Sequence, residues 1–377
     1  MRNGLPRRVY LGLEVSRAAF VPEGLRISGV RPSSTGAAAG LLPSDVLVSV
    51  NGESPTDASA LRRMARSSSP ELSFQVIRQG KRIELASSSI RLPLEELAGN
   101  VVSYAEVDVG CGRLRSIMTR PNQERAGSSV VVAYLQGISA ESVDFALHPR
   151  HPIAAFLSDL AQAGFSTFRF EKRGVGDSDG ESLADFDTDV ADARAAVREL
   201  SARDDVEHVI LFGHSIGGMI APYLFDLPKV RGVAVYGSSS ARWSECRREG
   251  ARRQYRLRGI PEANQAALVA EHLADLAGRS PDFHDQLEAT DLATAWSMVN
   301  SPVLSIHGEY DWVVGADEAR QLAERAPSGV FAALSSLDHS FTTHASLAES
   351  LARLGKGVPD PRLAAELALW IRRVALR

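Results

Sequence analysis

Leu211-Phe212-Gly213-His214-Ser215-Ile216-Gly217-Gly218 decides the reading of this chain. The apolar stretch Val206 to Phe212 runs into Gly-x-Ser-x-Gly, and a segment that can be helical follows. Strand, sharp turn and helix in that order lift the central serine above the end of a strand. Gly213 and Gly217 let the backbone pack closely around such a turn. The first N–H groups of a helix beginning near Ile216 lack intrahelical acceptors and, with the helix dipole, favour an oxyanion. Five letters are a weak signal in a chain with 30 glycines. The flanking strand and helix are what give the motif weight.

Ser215 needs a base, because a serine hydroxyl is a poor nucleophile near neutral pH. An imidazole needs a carboxylate in turn, to hold its tautomer and stabilise its charged form. Pro302 to Gly308 reads as a strand with Asp311 in the turn beyond it. Gly329 to Leu334 reads as the last strand, and Leu337-Asp338-His339 follows directly. Serine, aspartate and histidine thus stand in the order Ser215, Asp311, His339, each just past an inferred strand end. Parallel strands bring such ends to one edge. The rivals are Glu309 as the acid and His214, His307 and His344 as the base. His214 is read as a structural residue pointing elsewhere on the turn, His307 as packed within its strand, and Asp338 as too close to His339 to orient it.

The strands around the motif imply a parallel sheet. Val130 to Leu135 is a continuous apolar run of the sort buried on both faces. Gln136-Gly137-Ile138 ends it, and the N–H of Ile138, paired with that of Ile216, is the expected second oxyanion donor. Helix over 151–163, strand over 165–170, helix from Phe186 to Leu200, the serine strand and Val230 to Tyr236 continue the alternation. The glycines of Arg173-Gly174-Val175-Gly176-Asp177-Ser178-Asp179-Gly180 lack the Gly-Lys-Ser/Thr ending of a phosphate loop. They are expected to make a tight turn beneath the site.

Residues 240–298 break the rhythm with helical stretches and no strands, as an insertion forming a cap would. Seven arginines lie between 242 and 258, facing either an anionic substrate group or solvent. Trp243, Tyr255, Phe283 and Trp296 line a pocket or fix the helices.

The first hundred residues read differently. Short strands over 9–15, 46–50, 71–77 and 81–85 accompany one helix over 57–65, with a tight turn at Asn51-Gly52. This is a small β-rich domain with no evident catalytic set. Residues 87–100 are the linker, giving domains at 1–86 and 101–377.

Length and composition agree with two globular domains. The 377 residues are 44% hydrophobic and 23% charged, with a formal net charge of -4. No basic surplus suggests nucleic acid. Apolar runs stop well short of a membrane span, and the N-terminal one is too short for a signal peptide. A soluble, cytoplasmic protein is expected. Cys111 and Cys246 have no ligand-like spacing and read as reduced thiols.

Residues 101–377 resemble the α/β-hydrolase family. The resemblance rests on the serine motif, Leu135-Gln136-Gly137, Arg173 to Gly180, Gly308-Glu309-Tyr310-Asp311 and Asp338-His339. Family members more often have His-Gly at 136–137 and Asp-x-Arg-Gly at 171–174, which loosens the substrate assignment. Residues 8–86 resemble a bacterial-type PDZ domain through Tyr10-Leu11-Gly12-Leu13, Ala39 to Leu47, Val50-Asn51-Gly52 and Arg78-Gln79-Gly80-Lys81. These resemblances imply an α/β fold with a mostly parallel sheet and helical cap, preceded by a peptide-binding module. The expected function is a serine hydrolase cleaving an ester or thioester through an acyl-enzyme, without metal or organic cofactor. A peptidase or amidase, an acyltransferase or cyclase, and an inactive peptide-binding scaffold are the alternatives. The expected partners are a small acyl substrate and a peptide or protein C-terminus at the PDZ-like domain.

Overall fold

Val130–Leu135 is buried along its whole length. Its side chains divide alternately between two apolar clusters: Val131, Ala133 and Leu135 join one, Val130, Val132 and Tyr134 the other. That is the two-residue period of a strand sandwiched by helices on both faces. The same division recurs at Leu211 and Phe212, and at Val235 and Tyr236.

The computed structural model describes residues 4–21, 24–66, 69–123, 127–139, 141–181 and 185–376. It resolves into one unit of Met1–Leu94 with Gly174–Gly180, and another of Glu95–Arg173 with Glu181–Arg377.

The first unit is β1 (Leu13–Val21), β2 (Gly24–Val30), α1 (Thr35–Ala38), β3 (Val46–Val50), α2 (Ala58–Met64), β4 (Glu71–Arg78) and β5 (Lys81–Ser88). The strands form an antiparallel sheet in sequence order. Asp57 caps α2 by accepting the Ala60 N–H at 2.8 Å. Leu61 and Met64 turn inward onto Phe74 and Val76. The strand expected over 9–15 begins later: Val9 makes one bridge to Arg91, and regular pairing starts at Leu13. Gly12, at φ +66°, interrupts the extended run. Gly174–Gly180 is a tight turn, as Gly174 N–H donates to Asp179 O at 2.9 Å. It groups with this unit, where Asp177 accepts from Arg7 Nη1 at 2.8 Å and from the Arg8 N–H at 3.0 Å.

The second unit opens with β6 (Asn100–Asp108), β7 (Arg113–Pro121), β8 (Val130–Leu135), α3 (Pro152–Gln162), β9 (Ser166–Phe170) and α4 (Phe186–Ser201). It continues with β10 (His208–His214), α5 (Ile216–Ile220) and β11 (Val230–Tyr236). Four helices follow without a strand: α6 (Trp243–Leu257), α7 (Glu262–Arg279), α8 (Pro281–Ala289) and α9 (Leu292–Ser297). Then come β12 (Val303–Gly308), α10 (Ala316–Arg325), β13 (Gly329–Leu334), β14 (Thr342–Thr343), α11 (Leu347–Arg353), β15 (Val358–Pro359) and α12 (Arg362–Ala375). The large sheet has the order β13-β12-β11-β10-β8-β9-β7-β6. It is parallel from β9 to β13, while β7 runs antiparallel to both its neighbours. The parallel strands therefore present their C-terminal ends along one edge, where the loops bearing 136–139, 215, 237–240, 311 and 339 emerge.

The aromatic residues of the helical insertion fix it in place. Trp296 and Phe283 are fully buried, and Phe283 meets the Trp243 ring edge-on at 6.3 Å. Truncating either buried ring to alanine would cost about 3–5 kcal/mol. Tyr255 ties α6 to α7 through the carbonyl of Leu268. Lys172 and Arg173 pair with Asp189 and Asp192 of α4, each at 2.6 Å.

Candidate active site

The turn at Ser215 is set by close packing. A Cβ at Gly213 would lie 2.5 Å from Gly217 O, and one at Gly217 only 2.0 Å from Leu135 O. No side chain fits at either position, so β10 can turn at once into α5. Ser215 itself has φ 55° and ψ -119°. L-residues rarely adopt this backbone shape, which costs about 1–3 kcal/mol and persists only when the surroundings enforce it. Its N–H donates to Tyr236 O at 2.9 Å, tying the turn to the end of β11. The serine is half-buried, and its side chain does not cap α5.

The loops after β12 and β13 bring Asp311 and His339 together. His339 Nδ1 donates to Asp311 Oδ2 at 2.8 Å. The other oxygen of Asp311 accepts the N–H groups of Val313 at 2.7 Å and Val314 at 2.9 Å. Burial alone would raise the Asp311 carboxyl, but His339 and the backbone donor of Val314 outweigh it and hold the group below its usual range. Burial opposes charge on His339 as well, yet the facing carboxylate wins and raises its proton affinity above the ordinary value. Glu309, the rival acid, instead accepts the Ser336 N–H at 3.0 Å.

Two glycines connect these groups to the serine turn. A Cβ at Gly137 would come 3.3 Å from Ser215 Cβ, so the loop after β8 passes directly over the serine. A Cβ at Gly237 would come 2.7 Å from His339 Nδ1 and 3.0 Å from Asp311 Oδ2. Ile138 follows Gly137 in that loop, with its side chain exposed. Ile216 is the first residue of α5, where its N–H has no intrahelical acceptor.

His214 does not point away as its place in the turn suggests. Its Nε2 donates to the backbone carbonyl of His339 at 2.9 Å, and the two rings are 5.0 Å apart. Burial, and then the neighbouring His339, push its proton affinity down to about 3, so the ring stays neutral. Asp338 and His344 form a second buried pair at 3.0 Å. Asp338 also accepts the N–H groups of Ser340 and Thr342, both at 2.9 Å, and so shapes the turn that carries His339. The Tyr236 hydroxyl donates to Asp338 O at 2.5 Å. His307 is buried in β12, as expected of a packed residue. Sequence reasoning missed the roles of His214, Tyr236 and His344. The available signal was that each stands within a few residues of a strand end at this edge.

Among the described residues no three His, Cys, Asp or Glu side chains gather as metal ligands do. Cys111 and Cys246 are both free, the first exposed and the second buried. No helix among the described residues is long and apolar enough to cross a membrane.

A mostly parallel eight-stranded sheet with its loops converging on Ser215 defines the fold as that of the α/β-hydrolases. A Mycobacterium smegmatis proline iminopeptidase superposes with a TM-score of 0.51 at 15% identity, covering 72% of this chain and 98% of that one. A family model described as Hydrolase_4 (serine aminopeptidase, S33) matches residues 151–248, a span that includes Ser215. Esterase EstD of Thermotoga maritima is 22% identical over 282 residues, which are 71% of this chain and 68% of that protein. A Pyrococcus furiosus esterase has a TM-score of 0.47 at 15% identity, covering 73% of this chain and 91% of its own. The N-terminal sheet lies outside the matched family segment.

Proposed function

We propose that this chain is a serine hydrolase that cleaves an ester or thioester through an acyl-enzyme. The observation that carries the reading is the 2.8 Å bond between His339 and Asp311 beside a serine held at φ 55° on a strand-to-helix turn. Similarity to EstD favours an ester. Ser215 Oγ attacks the carbonyl carbon and His339 Nε2 takes its proton. Asp311 holds the Nδ1–H tautomer and steadies the imidazolium. The N–H groups of Ile138 and Ile216 receive the oxyanion of the tetrahedral intermediate. His339 then gives its proton to the leaving alcohol or thiol as the acyl bond to it breaks. Water, deprotonated by the same imidazole, releases the acid and restores Ser215. These steps require no metal or organic cofactor. Helices α6 to α9 act as the cap that selects the substrate.

Fluorophosphonate labelling tests the nucleophile, and a screen of acyl esters, acyl thioesters and aminoacyl peptides tests the bond cleaved. The expected result is labelling confined to Ser215, with ester or thioester turnover exceeding peptide turnover. Equal turnover by Ser215→Ala protein freed of contaminants would overturn the reading.

A peptide-binding role for the N-terminal unit is a separate proposal. It is supported by β1, which among the described residues pairs only with β2 and so leaves one edge available for an added strand. The PDZ resemblance implies that backbone N–H groups of the loop at residues 10–13 hold the peptide's C-terminal carboxylate. Leu11 N–H is already directed to Val9 O at 3.1 Å, so Gly12 and Leu13 are the remaining donors.

A further inference from the structure

Three arginines between residues 242 and 258 have acids to hold. Arg253 pairs with Glu318 at 2.7 Å, Arg252 with Glu249 at 2.8 Å, and Arg242 lies 3.9 Å from Glu288. Arg247, on the same helix, has no carboxylate within ion-pair distance among the described residues. Its guanidinium lies 5.3 Å from the centre of the Trp243 ring. One terminal nitrogen approaches His272 Nε2 at 3.5 Å, the outer limit of a hydrogen bond. Its Nε is buried and has no hydrogen-bond partner among the described residues.

A half-buried guanidinium does not escape this cost by losing its proton, because arginine stays charged in proteins. A desolvated cation without a counter-ion is expensive to keep, and binding an anion removes the expense. The surroundings offer donors. Trp243 Nε1 donates to His284 Nδ1 at 2.7 Å, which leaves the hydrogen on His284 Nε2 free to donate elsewhere. Burial and then the Arg247 charge lower the proton affinities of His272 and His284, against opposing pulls from Asp275 and Asp285. Gly250, on the same helix, sits so close to Val313 that a Cβ there would lie 2.9 Å from its carbonyl oxygen, which sets this part of α6 against the loop that holds Asp311. Nearly two helical turns beyond Arg247, Arg253 donates to Val313 O at 2.8 Å, fastening α6 to the loop that holds Asp311.

We propose that Arg247, with His284 beside it, is an anion subsite in the cap, and that the ester accepted at Ser215 bears an acidic group on its acyl chain. This rests on the serine-hydrolase reading and adds the substrate's charge to it. Arg247 is then a specificity-determining residue, and its positive charge on α6 is retained for the ligand.

The full chain is assayed with 4-nitrophenyl hexanoate and mono(4-nitrophenyl) adipate, which differ by a terminal carboxylate in place of a methyl. The wild type is expected to favour the adipate by about tenfold or more in kcat/KM, mainly through KM, and less so at high salt. Arg247→Met should bring that ratio close to one, and Arg247→Lys should keep part of the preference. Because the ratio is read within each protein, a general loss of activity cancels. Protection of Ser215 from fluorophosphonate by free adipate, compared with 1,6-hexanediol, tests the subsite without any variant. Labelling of Ser215 with no preference for the adipate and no protection by it overturns the subsite alone, as does an unchanged ratio in folded Arg247→Met protein. No labelling and no turnover of either ester overturns the hydrolase reading, and the substrate inference falls with it.

Discussion

His214 donates from Nε2 to the backbone oxygen of His339 at 2.9 Å, linking the residue before the serine to the loop that carries the imidazole. The bond joins the end of β10 to the segment after β13, which are 125 residues apart in sequence. Because burial keeps His214 neutral, it supplies this donor across the working pH range.

His214→Phe removes that donor while keeping a ring of similar bulk beside Phe341. A stability loss of about 1 kcal/mol is expected, together with slower labelling of Ser215. Chemical denaturation and labelling rates measure the two effects. Unchanged labelling at reduced stability would leave His214 a packing residue only.

Asp311→Asn should shift the pH dependence as well as the rate. Catalysis needs neutral His339, and its raised proton affinity places the acid limb of kcat/KM above the ordinary histidine value of 6.5. Without the carboxylate, burial dominates, so the limb should move to lower pH while the plateau falls by about a thousandfold or more. Glu309→Gln, altering a residue bonded to Ser336 instead, should leave the limb in place. A pH series of single-turnover acylation checks both variants. An acid limb unmoved by Asp311→Asn would remove Asp311 from the mechanism.

Ser215→Ala and Ser215→Gly should both abolish labelling but differ in stability. Alanine inherits the strained φ of 55°, whereas glycine adopts it without a side-chain clash. Glycine's greater freedom in the unfolded chain offsets part of that relief. The glycine variant should therefore melt no lower than the alanine variant. A glycine variant less stable by about 1 kcal/mol or more would argue against strain at the turn.

Gly12→Val should disrupt peptide recognition by the N-terminal unit. A Cβ there would lie 2.2 Å from Ser34 Cβ, and φ is +66°. Calorimetry on full-length Ser215→Ala protein should detect peptides with a free C-terminal carboxylate and weaker binding of their amidated forms. The Gly12→Val change, in the same background, should abolish that binding. No binding by any member of a diverse peptide library would leave the unit without this role.

Much of the fold was legible in the sequence because its signals are local. Val130 to Leu135 is apolar at every position, and only a strand covered on both faces uses such a run. The Gly213 to Gly217 spacing marked a turn whose tightness the structure explains, since neither glycine has room for a Cβ. The order of strand ends also placed Asp311 and His339 on the serine's edge of the sheet.

What the tertiary structure decided were the pairings among loops beyond those strand ends, where no hydrophobic period specifies a side chain's direction. It turned Asp311 toward His339 and Glu309 toward Ser336, and it gave Asp338 to His344. It brought His214 back under the His339 loop and placed Asp177 with Arg7 and Arg8. It also separated Arg253, which found Glu318, from Arg247 on the same helix, which has no carboxylate within ion-pair distance among the described residues. Seven arginines look alike in sequence. Their electrostatic roles depend on distances to residues brought near only by packing the sheet and its helices, and a few ångströms decide whether a charge is neutralised or left for a ligand.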